Sequence, residues 1–188
     1  MKSSRISSVA SISAHITAFS KYLVFAVVLC SILIIGVSAF AALPTKGSIA
    51  ILTKGPSEQH TASVASILTR ELVAKGYKVV DPDTLAAIRR SKAAALALDG
   101  NTDAIMKLGK QYGFSTMITA QLEAGRPVVN EFELYTGTSS IAIMVMSSGG
   151  QMIYADTVMG KQVGYTRDEA AQKSIESAAK LAVKRMME

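Results

Sequence analysis

Apolar positions change their period several times along this chain, and each change marks an element. Ser48 to Thr53 (SIAILT) is an unbroken short apolar run, which predicts a strand. Lys54-Gly55-Pro56 turns the chain. Beyond it Val64, Ile67, Leu68 and Leu72 recur at spacings of three and four, with Arg70, Glu71 and Lys75 outside the stripe, so a helix is expected. Ser57 stands where an N-cap belongs and Glu58 in the first turn; Gly76 stands where a helix ends in a left-handed residue. Tyr77 to Val80 (YKVV) predicts the next strand, broken by Asp81-Pro82.

Asp83 to about Leu98 reads as one helix, with Leu85 and Ile88 facing inward, an alanine-rich tail and Gly100 as its stop. Asn101 caps a shorter helix with Asp103 in the first turn, Ile105 and Leu108 buried, and Gly113 just past its end. Thr116 to Glu123 (TMITAQLE) alternates, as a strand does, and Gly125-Arg126-Pro127 turns the chain. Val129 to Tyr135 predicts a half-exposed antiparallel strand, Glu131 and Glu133 on one face, Phe132 and Leu134 on the other. Ser140 to Met146 (SIAIMVM) is apolar on both faces, so it is covered twice or one face meets a partner. Ser148-Gly149-Gly150 makes a tight hairpin and Gln151 to Val158 returns. Thr166-x-x-Glu169 has the form of a capping box. It opens a long helix with Ala171, Ile175, Ala178, Ala182 and Met186 in one stripe, and Lys173, Glu176, Lys180 and Lys184 outside.

The segment before Ser48 is different. Leu23 to Val37 (LVFAVVLCSILIIGV) is fifteen residues without a charge, preceded by Lys21 and followed by Ala39-Phe40-Ala41. That is the form of a signal peptide with an Ala-x-Ala cleavage site, and the mature chain then starts at Ala42; Val37-Ser38-Ala39 is a second site. The competing reading is a retained anchor, because Tyr22 to Leu43 gives 22 uncharged residues, enough to cross a bilayer core of about 30 Å. Cys30 follows Leu29 inside the run and reads as a small apolar residue, not as a lipid-attachment cysteine. The expected organisation is residues 1–41 as signal peptide or N-terminal membrane anchor and 42–188 as a single αβ domain. The location expected is the periplasm, with inner-membrane anchoring by residues 22–43 if the segment is not cut.

Composition narrows the function classes. The order is strand, helix, strand, two helices, a run of antiparallel strands, then a helix, and a mixed, mostly antiparallel sheet flanked by helices accommodates it. Of 188 residues, 49% are hydrophobic and 18% charged, which suits a packed domain. The net charge of +6 comes partly from the front segment, which holds Lys2, Arg5 and Lys21 and no acid. The rest carries 17 basic and 14 acidic side chains without a basic run, so no nucleic-acid partner is expected. One cysteine excludes an internal disulfide framework and a cysteine-based zinc site.

Candidate chemistry is sparse. Beyond the front segment His60 is the one histidine, three residues after Ser57, and it reads as a solvated first-turn residue. Thr53-Lys54-Gly55-Pro56-Ser57 joins a strand to a helix start but lacks the glycine pattern of a dinucleotide fold and the end of a P-loop, so it reads as a capped turn. Glu131 and Glu133 are neighbours on one face, whereas a glycosidase holds its carboxylates across a cleft. Met117, Met144, Met146, Met152 and Met159 cluster in the strand half and read as core filler or adaptable contact surface. No catalytic residue, cofactor or metal ligand is expected, and weight moves to binding.

Three stretches carry a resemblance. Gly76-Tyr77-Lys78-Val79-Val80-Asp81 is the first. Leu108-Gly109-Lys110-Gln111-Tyr112-Gly113-Phe114-Ser115-Thr116-Met117-Ile118-Thr119-Ala120 is the second. Gly149-Gly150-Gln151-Met152-Ile153-Tyr154, with the later Asp168-Glu169-Ala170-Ala171, is the third. In order, over about residues 48 to 187, the set resembles the periplasmic αβ domain of the curli secretion-channel subunit, flagellar assembly protein T, the TolB N-terminal domain and the penicillin-binding-protein activator lipoproteins. Ser115 stands where that family often has aspartate, and Ala120 where it often has glycine. The 25 residues from Arg126 to Gly150 leave no room for the membrane-spanning hairpins of the curli channel, so a pore is not expected.

The resemblance implies an anticodon-binding-domain-like, TolB N-terminal-like fold and a non-catalytic cell-envelope module. Such a module docks on another periplasmic or membrane protein, of a secretion, flagellar or cell-wall assembly. Membrane contact is then limited to the N-terminal segment, if uncleaved. The residues expected to bind the partner are Arg126, Glu131, Glu133 and Tyr135. Two rivals stand beside this reading. One is a structural homo-oligomer subunit, with Ile141 to Met146 as its patch; the other is a small envelope hydrolase with an unrecognised site.

Overall fold

The computed structural model describes Leu43, Pro44 and residues 46–188; the expected signal peptide or anchor lies outside the described residues. Strands are β1 (Ser48–Lys54), β2 (Lys78–Val79), β3 (Thr116–Ala124), β4 (Val128–Val129), β5 (Tyr135–Ser147) and β6 (Met152–Gly164). Helices are α1 (Glu58–Ala74), α2 (Pro82–Arg90), α3 (Lys92–Leu98), α4 (Thr102–Tyr112) and α5 (Arg167–Met187).

All six strands belong to one sheet. β1 pairs in parallel with β2 and with β3, and β3 pairs antiparallel with β5. β6 runs antiparallel along the other edge of β5 for nearly its whole length, from Tyr135↔Gly164 to Met146↔Met152. The short β4 continues the β3 side beyond the end of β3. The mixed, mostly antiparallel sheet flanked by helices is therefore the fold class expected.

Two cores form, one on each face. Ile49 and Ile51 of β1, Ile118 and Leu122 of β3, and Ile141, Ile143 and Val145 of β5 point to α1 and α5. Ala50, Leu52, Met117 and Met146 point the other way, to α2, α3 and α4. β1 and the first part of β3 are thus buried on both faces, and β3 alternates only from Gln121 onward, a shorter alternation than its sequence suggests.

Local signals explain the helix ends. The Ser57 hydroxyl accepts the His60 N–H at 3.2 Å, the Asp81 carboxylate accepts the Thr84 N–H at 2.9 Å, and Asn101 accepts the Ala104 N–H at 2.9 Å. Gly76, Gly100 and Gly113 all have positive φ at helix ends, where glycine carries no Cβ penalty. Thr166 accepts the Glu169 N–H, and the Glu169 carboxylate accepts the Tyr165 N–H, one residue earlier than a standard capping box.

Three expectations are corrected. The helix from Asp83 to Leu98 is two helices. Ser91 ends α2 in an extended conformation (ψ 145), and its hydroxyl accepts the Ala94 N–H, so it caps α3. The returning strand runs on to Gly164, well past Val158. The Val129 to Tyr135 strand is not formed: β4 stops at Val129, and Glu131 and Glu133 lie in the turn that follows.

Helix α5 lies directly on the backbone of β5 and β6. A Cβ on Gly160 would overlap the Ser174 carbonyl oxygen and approach the Ala178 nitrogen at 2.7 Å. One on Gly137 would overlap the Ala170 carbonyl, and one on Gly164 would meet the Ala170 nitrogen at 2.6 Å. The helix answers with Ala170, Ser174 and Ala178, all fully buried. Because these neighbours are backbone atoms, no rotamer change relieves the overlap. We expect Gly160→Ala to lower stability by about 1–3 kcal/mol, measured by urea unfolding. Gly149→Ala, whose Cβ would meet nothing nearer than the Ser147 hydroxyl at 3.6 Å, serves as a near-neutral control.

Candidate binding surface

The segment between β3 and β5 is a compact hairpin organised by Asn130. Val128 pairs with Thr136 and Val129 with Tyr135. The Asn130 N–H donates to the Leu134 carbonyl at 2.8 Å, and the Glu133 N–H donates to the Asn130 carbonyl at 3.1 Å. The Asn130 side-chain oxygen accepts the N–H groups of both Phe132 (3.0 Å) and Leu134 (3.1 Å). An asparagine that binds its own backbone two residues on favours a turn over a strand, which is why the alternation of Val129 to Tyr135 fails. Glu133 has φ 57, the one non-glycine residue with positive φ among the described residues.

The connection from β3 to β5 carries three of the four expected partner-binding residues. Arg126, Glu131 and Glu133 are exposed on it. Tyr135 is half-buried at its base, with the Arg167 guanidinium 5.6 Å from the ring centroid. The side chain assigned inward by alternation is the one that stands out: Phe132 is 73% exposed. Val128 (69%) and Val129 (53%) are exposed on the same hairpin. The signal for these three was present as Asn130 at the foot of the turn.

A second uncovered surface adjoins it. β5 and β6 are sealed by α5 on one face, but no helix among the described residues covers the other face of their register rows Thr136↔Val163, Ser140↔Met159 and Ala142↔Thr157. Met159 is 71% exposed there, and Val128 continues the first row. The expected patch at Ile141 to Met146 is corrected: β5 is interior to the sheet, and Ile141, Ile143 and Val145 are buried beneath α1 and α5. Met117 and Met146 are core residues, while Met152 and Met159 are exposed, so the methionines divide between the two roles expected.

Elsewhere the titratable groups perform structural work. Tyr154 donates to Asp156 at 3.0 Å, and Arg185 donates to the same carboxylate oxygen at 3.0 Å, tying β6 to α5. Burial and then the Asp156 hydrogen bond push the Tyr154 phenol up to about 12. The Arg185 hydrogen bond holds Asp156 below its ordinary value. His60 is half-buried rather than solvated, with Nδ1 buried and unpartnered, and the adjacent Ser57 hydroxyl is committed to the cap. Among the described residues no group of three or more His, Cys, Asp or Glu side chains could hold a metal. No helix among them is long and apolar enough to cross a membrane.

The described residues form an αβ domain that leaves several large apolar side chains exposed. The match that gives it a family is to the TP0693-like lipoprotein, C-terminal domain, over residues 49–187, and the chain belongs to that family. This agrees with the envelope class of the sequence resemblance. No curated protein matches the chain. Among solved structures it is similar to lipoprotein GNA1162 from Neisseria meningitidis, at 14% identity over 74% of this chain and 99% of that one, TM-score 0.48. It is also similar to the PelC dodecamer from Paraburkholderia phytofirmans, at 11% identity over 78% and 93%, TM-score 0.44. A further likeness is to the LpoB C-terminal domain from Salmonella enterica, at 12% identity over 66% and 86%, TM-score 0.40.

The Asp156 clasp gives a pH prediction. A carboxylate whose pKa is lowered by folding adds stability above its unfolded value, near 4, and loses it as pH falls through the lower folded value. Asp156→Asn is expected to melt below wild type at pH 7. The gap should close as pH drops below about 4, followed by circular dichroism melts across pH.

Proposed function

We propose that the chain is a non-catalytic binding or assembly domain of the cell envelope that docks on another periplasmic or membrane protein. In this reading residues 1–41 export or anchor the chain and residues 42–188 are its one working domain. The observation that carries it is the exposure, on one hairpin, of Val128, Val129 and Phe132 together with Arg126, Glu131 and Glu133. Large apolar side chains left in water by a folded domain mark contact surface, and an aromatic anchor ringed by charges is how protein interfaces concentrate their energy. The acids set orientation and encounter rate, and the exposed apolar side chains supply the affinity. Family membership in a lipoprotein domain supports the envelope setting. Tyr135, with Arg167 against its ring, positions the base of the hairpin rather than meeting the partner.

A second reading has its own observation. The uncovered face of β5 and β6, with Met159 and Val163 exposed, suits a structural homo-oligomer of an envelope assembly. A mass in solution that rises with concentration, and falls to that of one chain in Met159→Glu, would favour it. The hydrolase reading finds no support in the Ser57–His60 neighbourhood, where the serine is a cap.

Crosslinking in intact cells with a C-terminally tagged chain, then affinity capture and mass spectrometry, tests the docking role. Wild type is expected to capture one abundant envelope partner. Phe132→Ala should weaken capture at least about tenfold, as loss of an interface anchor does. Glu131→Lys with Glu133→Lys should abolish capture while leaving the melting temperature unchanged. Full capture by either folded variant would refute the hairpin as the docking surface.

A further inference from the structure

The opposite edge of the sheet holds a groove that the docking hairpin does not touch. Among the described residues β2 is the edge strand there, pairing with β1 alone. The Val80 N–H donates to the Ile49 carbonyl at 2.9 Å, so by strand alternation the N–H and C=O of Val79 point outward, away from β1. Helices α1 and α2 rise on either side of that edge and leave a groove of about 710 Å³ along it. Its floor is Val79, Val80 and Leu85; Thr69 and Val73 of α1 line one wall, and Pro82 of α2 the other. Val73 is 54% exposed into it, although it belongs to a helix that otherwise buries its large apolar residues.

Two of the three charged side chains that line the groove are arginines. Arg70 on α1 and Arg89 on α2 line the groove from its two sides. Asp81, the one acid lining it, accepts the Thr84 N–H and serves as the α2 cap. Arg70 has Glu71 beside it at 3.2 Å, an exposed pair that water screens and a competing carboxylate can replace.

We propose that this groove receives an extended, acidic segment of a partner protein, added as a strand to the free edge of β2. The outward N–H and C=O of Val79 supply backbone pairing, the apolar floor takes alternate small apolar side chains, and Arg70 and Arg89 take the carboxylates between them. The short β2 limits pairing to about one residue's worth of backbone bonds, so the two walls and the arginines must carry most of the affinity. The surface is distinct from the hairpin, and its success or failure leaves the hairpin reading standing.

The purified full-length chain is titrated with a labelled peptide alternating glutamate and valine, and with its lysine–valine counterpart. The glutamate peptide is expected to saturate, with the lysine peptide at least about tenfold weaker. Arg70→Glu with Arg89→Glu should reverse that preference, and hydrogen exchange should show the Val79 amide protected only with the glutamate peptide bound. If the double variant melts below wild type, Arg89→Ala is used and should weaken the glutamate peptide alone. Absence of saturable binding, binding indifferent to the charge swap, or an unprotected Val79 amide would overturn the proposal. So would arginine-dependent binding to phosphatidylglycerol vesicles without peptide binding, which would make the rim a membrane contact.

Discussion

The structure depends on one close approach, of helix α5 to the backbone of β5 and β6. Gly137, Gly160 and Gly164 remove the side chains that would hold the helix off, and Ala170, Ser174 and Ala178 remove them from its other side. Dispersion at that contact is between backbone and backbone, dense and intolerant of added volume. From the same helix Ile175 and Met186 join α1 and the β1 and β3 strands in one core. The Asp156–Arg185 contact closes the same seam at its far end. A thirteen-residue edge strand is thereby held in place with glycines at two of its last inward positions, Gly160 and Gly164.

Most of the fold was legible because its signals are local. Ser57, Asn101 and Thr166 cap where they stand, and Gly76, Gly100 and Gly113 end helices where they stand. These residues act on their own neighbours, so no tertiary knowledge is needed to read them. The break at Ser91 was missed because an alanine-rich tail continues the helical preference on both sides. What ends α2 is the serine hydroxyl, which turns round to accept the Ala94 N–H.

The candidate surface was half legible for a related reason. Arg126, Glu131 and Glu133 stand exposed, but alternation placed the two glutamates on a strand and sent Phe132 to its opposite face. One side chain, Asn130, accepts two backbone N–H groups and converts the alternation into a turn. The glycine seam went unread for the opposite reason. Nothing near Gly137 or Gly160 in sequence announces that a helix more than ten residues on will lie against them. The groove beside β2 was equally silent, because Val73 and Leu85 each look like ordinary stripe residues until the sheet brings α1 and α2 to its edge.

The mixed sheet also sets an order of assembly. β1 reaches its partner β3 only when Ile49 meets Thr116, 67 residues later. β5, β6 and α5 follow one another without interruption from Tyr135 to Met187 and contact one another directly. Loop closure is cheapest for that last third, so it is the natural first structure to form. Because synthesis runs from the amino end, the fastest-folding part is made last, and β1 and β3 wait for α5 to complete the core they share with it.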